Sequence, residues 1–258
     1  MSVRTDFEER PGGLVGRLTF DNPKKLNILG RAELQAIVES MRAIERNARV
    51  RAIVVTGAGE KAFIGGANIQ ELGALDPASA RAFITLVHEA CASMRNCPLP
   101  VVARVNGYCI GAGLELAAAC DLRIAAAHAT FSMPEVRLAI PSVVEAALLP
   151  RLVGTGRARW LVMTGEALDA AQALDWRLVE QVVASDALDA AVDRTLESIL
   201  ACDADALRAQ KRLCHLWEEA PLEACIRASI DEFARSYESG APGRAIAAFQ
   251  EARRNRRR

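Results

Sequence analysis

The sequence has no net charge and few aromatic residues. Its 258 residues include 32 Lys plus Arg and 32 Asp plus Glu, and aromatic side chains make up 5%. A balanced charge provides no general attraction to nucleic acid, and single-stranded nucleic acid binding relies on aromatic stacking. The hydrophobic fraction of 51% excludes intrinsic disorder, which requires low hydrophobicity and high net charge. We therefore expect a folded protein of one large domain or two small ones.

Long hydrophobic runs and paired cysteines are also missing. The apolar stretches are interrupted well short of the roughly 20 residues that a membrane span needs, and residues 1–10 lack the apolar segment of a secretory signal. The seven cysteines form no Cys-x-x-Cys pair, so zinc binding and thioredoxin-like redox chemistry have no spacing support. We expect structural thiols in a reducing cytoplasm, with no metal and no membrane association.

Several catalytic motifs are absent as well. There is no Gly-x-Ser-x-Gly sequence, and residues 57–61 lack the Gly-Lys-Ser/Thr of a phosphate loop. Residues 111–116 begin like a dinucleotide-binding fingerprint but lack its third glycine. The three histidines are scattered, and His88 beside Glu89 on a predicted helix is interpreted as solvated or satisfied rather than as a base. Nucleophilic triads and metal-dependent hydrolysis therefore have little support.

Hydrophobic periodicity predicts alternating strands and helices in the first half of the chain. Strands are expected at 14–20, 51–56, 101–105, 121–126, 130–132 and near 178–183, and helices at 31–46, 77–95, 111–120 and 222–237. This alternation indicates an α/β fold built from β-α units with largely parallel pairing. From about residue 142 onward the pattern is mostly helical.

Two glycine-containing turns stand out in this pattern. Gly65-Gly66-Ala67 follows the strand at 51–56, and Gly111-Ala112-Gly113 precedes a helix. Small residues allow another molecule to approach the backbone closely and leave peptide N–H groups available to it. Two such N–H groups that converge on one oxygen form an oxyanion hole. The alternative interpretation is a pair of tight strand-to-helix turns with no further role.

The two turns and several further segments together resemble the enoyl-CoA hydratase/isomerase (crotonase) superfamily over nearly the whole chain. The segments that carry the resemblance are residues 22–29, 67–69, 105–121, 133–138, 149–154, 164–166 and 206–212. The resemblance implies a ClpP/crotonase-like spiral of ββα units over residues 1–195. It also implies a helical region at 196–258 that forms a homotrimer or a hexamer made of two trimers, the whole being a single structural unit.

The same resemblance implies an acyl-CoA thioester as substrate, with no separate cofactor because coenzyme A is part of the substrate. Its carbonyl oxygen would be held by the backbone N–H groups of Ala67 and Ala112. The implied set of substrate-binding residues is Lys24, Lys25, Leu26, Gly65, Ala67, Asn68, Ile69, Gln70 and Gly111. Asn68 stands where the family most often has Asp, so a neutral cap replaces a charged one. Ala112 stands where Gly is usual.

Glu115 and Glu135 match the two catalytic glutamates of family hydratases. Water addition to a conjugated thioester needs a base that activates the water and an acid that protonates Cα. Two carboxylates that flank one water can divide these tasks if one pKa is raised. Without such a role, Glu115 is a helix N-terminal carboxylate favoured by the helix dipole, and Glu135 is a turn residue.

The segment after Glu135 departs from the family pattern. Residues 140–147 replace a glycine-rich stretch that shapes the water site and the acyl pocket. They also add Glu145, a third carboxylate that is either a base in its own right or a solvent-facing helix residue. We expect syn hydration of a 2-enoyl-CoA. The alternative is a Δ3,Δ2-enoyl-CoA isomerase, which needs one carboxylate, or another thioester lyase or hydrolase.

The C-terminus raises one different class of function. Residues 253–258 contain five arginines, which supply charge directed at phosphate groups. No aromatic residues are interleaved with them, so RNA binding is less favoured than a solvated terminus. A non-catalytic homologue is also disfavoured, because both glutamates are retained.

Overall fold

The computed structural model describes residues 3–255. The strands are β1 (Val3–Arg10), β2 (Gly13–Phe20), β3 (Val50–Gly57), β4 (Ala62–Ile64), β5 (Val101–Val105), β6 (Tyr108–Ile110), β7 (Leu122–Ala126), β8 (Thr130–Ser132), β9 (Leu168–Asp169) and β10 (Gln181–Val183). The helices are α1 (Arg31–Glu45), α2 (Ile69–Leu72), α3 (Pro77–Arg95), α4 (Ala112–Ala119), α5 (Leu149–Val153), α6 (Thr155–Thr164), α7 (Ala170–Asp175), α8 (Leu188–Leu200), α9 (Ala204–Glu219), α10 (Leu222–Ser236) and α11 (Ala241–Asn255). Short 3₁₀ helices occupy Pro23–Lys25, Glu135–Leu138, Val144–Leu148, Ser185–Ala187 and Tyr237–Ser239.

The strands form two sheets. The larger has the order β1-β2-β3-β5-β7-β10, in which β1 and β2 form an antiparallel hairpin and every later pairing is parallel. The smaller has the order β4-β6-β8-β9, with only the last pairing antiparallel. Successive turns of the chain add one strand to each sheet and then a helix, as in β3-β4-α3 and β5-β6-α4. The expected α/β spiral of ββα units is confirmed.

The β3 strand is buried on both faces, which explains its continuous apolar sequence. Ile53 and Val55 pack into the core that contains α1, α3 and α4. Ala52 and Val54 point to the opposite face and pack against apolar side chains of α8. Because side chains alternate along a strand, one short run of residues connects the two layers.

The α3 helix has clear start signals in the sequence and the same bounds as predicted. Its N-cap is Asp76, whose carboxylate accepts a hydrogen bond from the Ser79 N–H at 2.7 Å, and Pro77 occupies the first turn. Proline is tolerated there because the N–H it lacks would have no partner inside the helix. Phe83, Val87 and Cys91 then lie on the buried face.

The chain forms two compact units, with the boundary between Ala201 and Cys202. In the second unit, α9 and α10 are linked by the ion pair between Arg212 and Glu232 at 2.6 Å. Several large apolar side chains of α10 are exposed, namely Leu222, Ile226, Ile230 and Phe233. Of the arginine-rich end, Arg253 and Arg254 lie on α11, and residues 256–258 lie outside the described residues.

None of the helices within residues 3–255 combines the length and the apolar character required to cross a bilayer.

Candidate active site

Two buried asparagines fix the chain that leads into the first small-residue turn. Nδ2 of Asn27 donates to the carbonyl oxygens of Ala62 at 2.8 Å and Ala58 at 3.1 Å. Nδ2 of Asn106 donates to the carbonyl oxygen of Gly57 at 3.0 Å. Each side-chain amide supplies hydrogen bonds to backbone carbonyl oxygens that regular secondary structure does not pair here. The start of β4, just before the turn, is therefore held from two sides.

The two predicted turns present unpaired backbone N–H groups. Gly66 has φ 107° and Gly111 has φ 53°, values that favour glycine. They orient the following residues, Ala67 and Ala112. Across residues 3–255 no protein oxygen accepts a hydrogen bond from either N–H. Both are therefore free to bind an external oxygen.

A cavity of about 150 Å³ brings both turns together with both predicted glutamates. It is lined by Gly65, Gly66, Ala67, Ile69, Leu72, Phe83, Ile84, Val87, Ile110, Gly111, Ala112, Glu115, Pro134, Glu135, Leu138, Ile140, Pro141 and Val143. The only carboxylates in this mainly apolar set are those of Glu115 and Glu135. A small apolar cavity with a few convergent polar groups is the usual form of a binding site for a small molecule.

Glu115 lies in the first turn of α4 and is 4% exposed. Burial raises its pKa to about 8, and the nearby carboxylates of Glu135 and Glu145 add to the rise. The Ala146 N–H, which donates to Oε1 of Glu115 at 3.3 Å, acts in the opposite direction. Glu115 is therefore a carboxylic acid that retains its proton at neutral pH.

Glu135 has a different environment. Its Oε2 accepts a hydrogen bond from the Ser142 hydroxyl at 2.7 Å. Its Oε1 lies over Gly111, where an added Cβ would approach to 2.3 Å. Only glycine leaves room for this carboxylate beside the second turn.

Glu145 is buried, not solvent-facing. It is 7% exposed, and its Oε1 lies 2.8 Å from Nδ1 of His88 on α3. Oε2 is buried and has no hydrogen-bond partner among residues 3–255. The side chain is not part of the cavity lining that the structure describes. Of the two interpretations of Glu145, the solvent-facing one is wrong.

The family of the chain follows from comparison with known proteins. The model of the enoyl-CoA hydratase/isomerase family matches residues 11–256. The chain belongs to the enoyl-CoA hydratase/isomerase family. Among its curated relatives, the short-chain-enoyl-CoA hydratase of Clostridium acetobutylicum is 31% identical over 94% of this chain and 93% of its own length. The crotonyl-CoA hydratase of Syntrophomonas wolfei is 32% identical over 92% of each chain.

Solved structures of the enoyl-CoA hydratase/isomerase family have the same fold. The crystal structure of an enoyl-CoA hydratase from Bacillus anthracis aligns with a TM-score of 0.92 at 28% identity, covering 97% of this chain and 96% of the other. An enoyl-CoA hydratase from Mycobacterium smegmatis gives the same TM-score and coverage. The crotonase fold expected from the sequence is thereby confirmed.

The set of substrate-binding residues that family membership implies is partly gathered at the cavity. Gly65, Ala67, Ile69 and Gly111 line it, and Ile69 is 65% exposed. Asn68 caps α2 by accepting a hydrogen bond from the Gln70 N–H at 3.1 Å.

The other members of the set lie nearby or face solvent. The Leu26 carbonyl oxygen accepts a hydrogen bond from the Gly65 N–H at 2.8 Å, which joins its turn to the first small-residue turn. Lys24, Lys25 and Gln70 are exposed, outside the cavity lining described here.

Sequence reasoning missed three side chains around the glutamates. Ser142 bonds Glu135, and His88 bonds Glu145. Cys91, one helical turn after His88, lies against Glu145, and burial together with Glu145 and Glu115 raises its thiol pKa well above the usual range. The helical spacing of residues 88 and 91 was the available signal. Their partner lies more than 50 residues away, so only the fold brings them together.

Proposed function

We propose that this protein catalyses syn addition of water to the double bond of a short-chain 2-enoyl-CoA thioester. The observation that carries this proposal is a pair of unlike carboxyl groups at one small cavity. Glu115 is buried with its pKa raised to about 8, whereas Glu135 accepts a hydrogen bond from the Ser142 hydroxyl. Such a pair divides acid and base work between its members.

The thioester carbonyl would sit between the two turns and accept hydrogen bonds from the N–H groups of Ala67 and Ala112. As water adds to Cβ, the double-bond electrons move toward this oxygen and form an enolate. Preorganised N–H donors stabilise the negative charge where it develops, and loss of one such donor typically costs about 10²–10³ in rate. The unpaired state of both N–H groups supports this assignment.

Glu135 would act as the base and Glu115 as the acid. Glu135 accepts a proton from water while the water oxygen forms a bond to Cβ. Glu115 then gives its proton to Cα, and the enolate returns to the thioester carbonyl. One turnover thus transfers a proton to Glu135 and removes one from Glu115, and the substrate gains the elements of water.

The cavity volume favours a short acyl chain, since Phe83, Ile84 and Val87 of α3 occupy part of its wall. The names of two relatives, short-chain-enoyl-CoA hydratase and crotonyl-CoA hydratase, agree with that size. The exposed Lys24 and Lys25 are suited to the CoA phosphates. Because coenzyme A arrives with the substrate, this chemistry needs no other cofactor.

Assembly into a homotrimer, or a hexamer of two trimers, belongs to the same proposal. The exposed apolar row of α10, formed by Leu222, Ile226, Ile230 and Phe233, supports it. Exposed apolar patches of this kind mark protein–protein contacts. Sedimentation velocity of the full chain tests the assembly state, and a monomer at micromolar concentration would contradict it. A cytoplasmic location remains part of the proposal.

Hydration of crotonyl-CoA is the direct test, followed by loss of the absorbance of the conjugated thioester and by mass spectrometry of the product. We expect 3-hydroxybutyryl-CoA from the wild-type chain. Glu115→Gln and Glu135→Gln should each lose about 10²–10⁴ in kcat, the usual contribution of a general acid or base. Glu89→Gln removes an exposed carboxylate on α3 and serves as the matched control.

Two results would contradict hydration. Absence of turnover with crotonyl-CoA by the wild-type chain refutes the proposal. Conversion of a 3-enoyl-CoA to the 2-enoyl isomer without any hydroxyacyl product would assign the site to isomerisation, for which a single carboxyl group is sufficient.

A further inference from the structure

The Glu145 carboxyl has no task in the hydration steps described above, although its burial is costly. It is 7% exposed, and its Oε2 has no hydrogen-bond partner among residues 3–255. A buried carboxylate with an unpaired oxygen destabilises a fold unless another group compensates. The residue before it, Val144, has φ 40°, a strained value for a β-branched side chain. Strained backbone of this kind concentrates at functional sites.

His88 connects Glu145 to solvent. The side chain of Glu145 is 8% exposed and that of His88 is 56% exposed. Nδ1 of His88 lies 2.8 Å from Oε1 of Glu145, so the other ring nitrogen is free to exchange protons with water. Imidazole suits this role because it has two ring nitrogens, each of which can bind or release a proton.

On its other side, Glu145 adjoins Glu115. The N–H of the next residue, Ala146, donates to Oε1 of Glu115 at 3.3 Å. The two carboxyl groups interact electrostatically, and Cys91 of α3 lies close to both. The titratable groups that face Glu145 are thus His88 and Cys91 from α3 and Glu115 from α4. Of these, His88 is the one that reaches solvent.

Hydration leaves Glu115 without its proton after each turnover. Glu115 is 4% exposed, and its open side is the cavity that substrate and product occupy. We propose that Glu145 and His88 form a proton route that recharges Glu115 from solvent. This inference rests on the proposed hydratase function, and it makes both residues positioning residues that act through Glu115.

The route conserves protons. Solvent protonates Nε2 of neutral His88, and the Nδ1 proton passes to Oε1 of Glu145. The half-exposed ring then turns over, which presents the remaining N–H to Glu145 and the unprotonated nitrogen to solvent for the next cycle. The resulting carboxylic acid passes a proton to the ionised Glu115, directly or through one water molecule. One proton enters from solvent and one reaches Glu115. Glu135 meanwhile returns its proton to solvent as product leaves, which restores the starting state.

The test compares a single turnover with steady-state turnover of crotonyl-CoA. With enzyme in excess, the first hydration uses the proton already on Glu115, so His88→Ala should keep the wild-type rate within about twofold. In steady state Glu115 must be recharged every cycle, and His88→Ala should lower kcat by about 10-fold, within the range of proton-transfer effects. Added imidazole should restore kcat. Glu89→Ala, an exposed neighbour on α3, is the control and should resemble wild type in both assays.

Each alternative outcome has one meaning. An equal fall of single-turnover and steady-state rates in His88→Ala assigns His88 a structural role and overturns the route. An unchanged kcat also overturns it. Glu145→Gln is a second test: its kcat should fall, and added imidazole should not restore it. Restoration by imidazole would mean that protons reach Glu115 without passing through Glu145, which contradicts the proposed order of the route. If the wild-type chain does not hydrate crotonyl-CoA in either assay, the proposed function fails first, and the route fails with it.

Discussion

Replacement of Glu115 by Gln should change how stability depends on pH. The pKa of Glu115 in the folded chain is about 8, against an ordinary value of 4.5. Between these values the folded state holds a proton that the unfolded state releases, so the unfolding free energy of the wild type falls as pH rises. At about 1.4 kcal/mol per pH unit, the full difference corresponds to at most about 5 kcal/mol.

Water entry and side-chain relaxation reduce that value, and we expect a loss of about 2–4 kcal/mol relative to Glu115→Gln between pH 5 and pH 9. Gln does not titrate and preserves the shape of the side chain, so the variant should lack this slope. The measurement is urea unfolding at one-unit pH steps and fixed protein concentration, with Glu89→Gln as an exposed-carboxylate control. Wild-type and Glu115→Gln curves that run parallel across this range would refute the burial argument.

Three further substitutions test other contacts. Gly111→Ala brings a Cβ to within 2.3 Å of Oε1 of Glu135, at a backbone φ of 53°. Because the carboxylate must then move, kcat/KM for crotonyl-CoA should fall about 100-fold. Full activity of this variant would contradict the role assigned to Glu135. Ser142→Ala removes the hydroxyl group that donates a hydrogen bond to Glu135. We expect about a 10-fold loss of kcat/KM with an unchanged melting temperature. Arg123→Met breaks the 2.6 Å ion pair between Glu180 and an arginine side chain that is 4% exposed. Urea unfolding should show a loss of about 3 kcal/mol, and an unchanged free energy of unfolding would contradict a stabilising role.

Periodicity predicted most of the fold correctly because the core is built from regular apolar patterns. The strand at Thr130–Ser132 and the helix at Pro77–Arg95 have their predicted bounds. The first strand, Val3–Arg10, was not predicted. It is an edge strand with several exposed charged side chains, and such strands carry little apolar alternation because charge protects them from pairing with other chains.

The composition of the site was predictable, but its environment was not. The turns at Ala67 and Ala112 and the glutamates at 115 and 135 do line one cavity. The sequence left open whether Glu145 faces solvent, because a carboxylate in a helical pattern usually does. Its Oε1 lies against Nδ1 of His88, which is 57 residues earlier in the chain. Contacts over such a separation follow from the packing of α3 and leave no local signal.

Two effects act on the Glu115 carboxyl group in opposite directions, and their sizes decide whether it is protonated at neutral pH. A carboxylate in the first turn of a helix is favoured by the helix dipole by about 0.3–1 kcal/mol, and by about 2 kcal/mol at most. Desolvation and the neighbouring carboxylates raise its pKa to about 8, which corresponds to about 5 kcal/mol in favour of the neutral acid. The α4 helix is buried all round, with Leu114 and Leu116 fully inaccessible, and even the reduced value of about 2–4 kcal/mol exceeds the usual contribution of the dipole. Burial therefore dominates, and Glu115 holds its proton at neutral pH, as its proposed role of acid toward Cα requires.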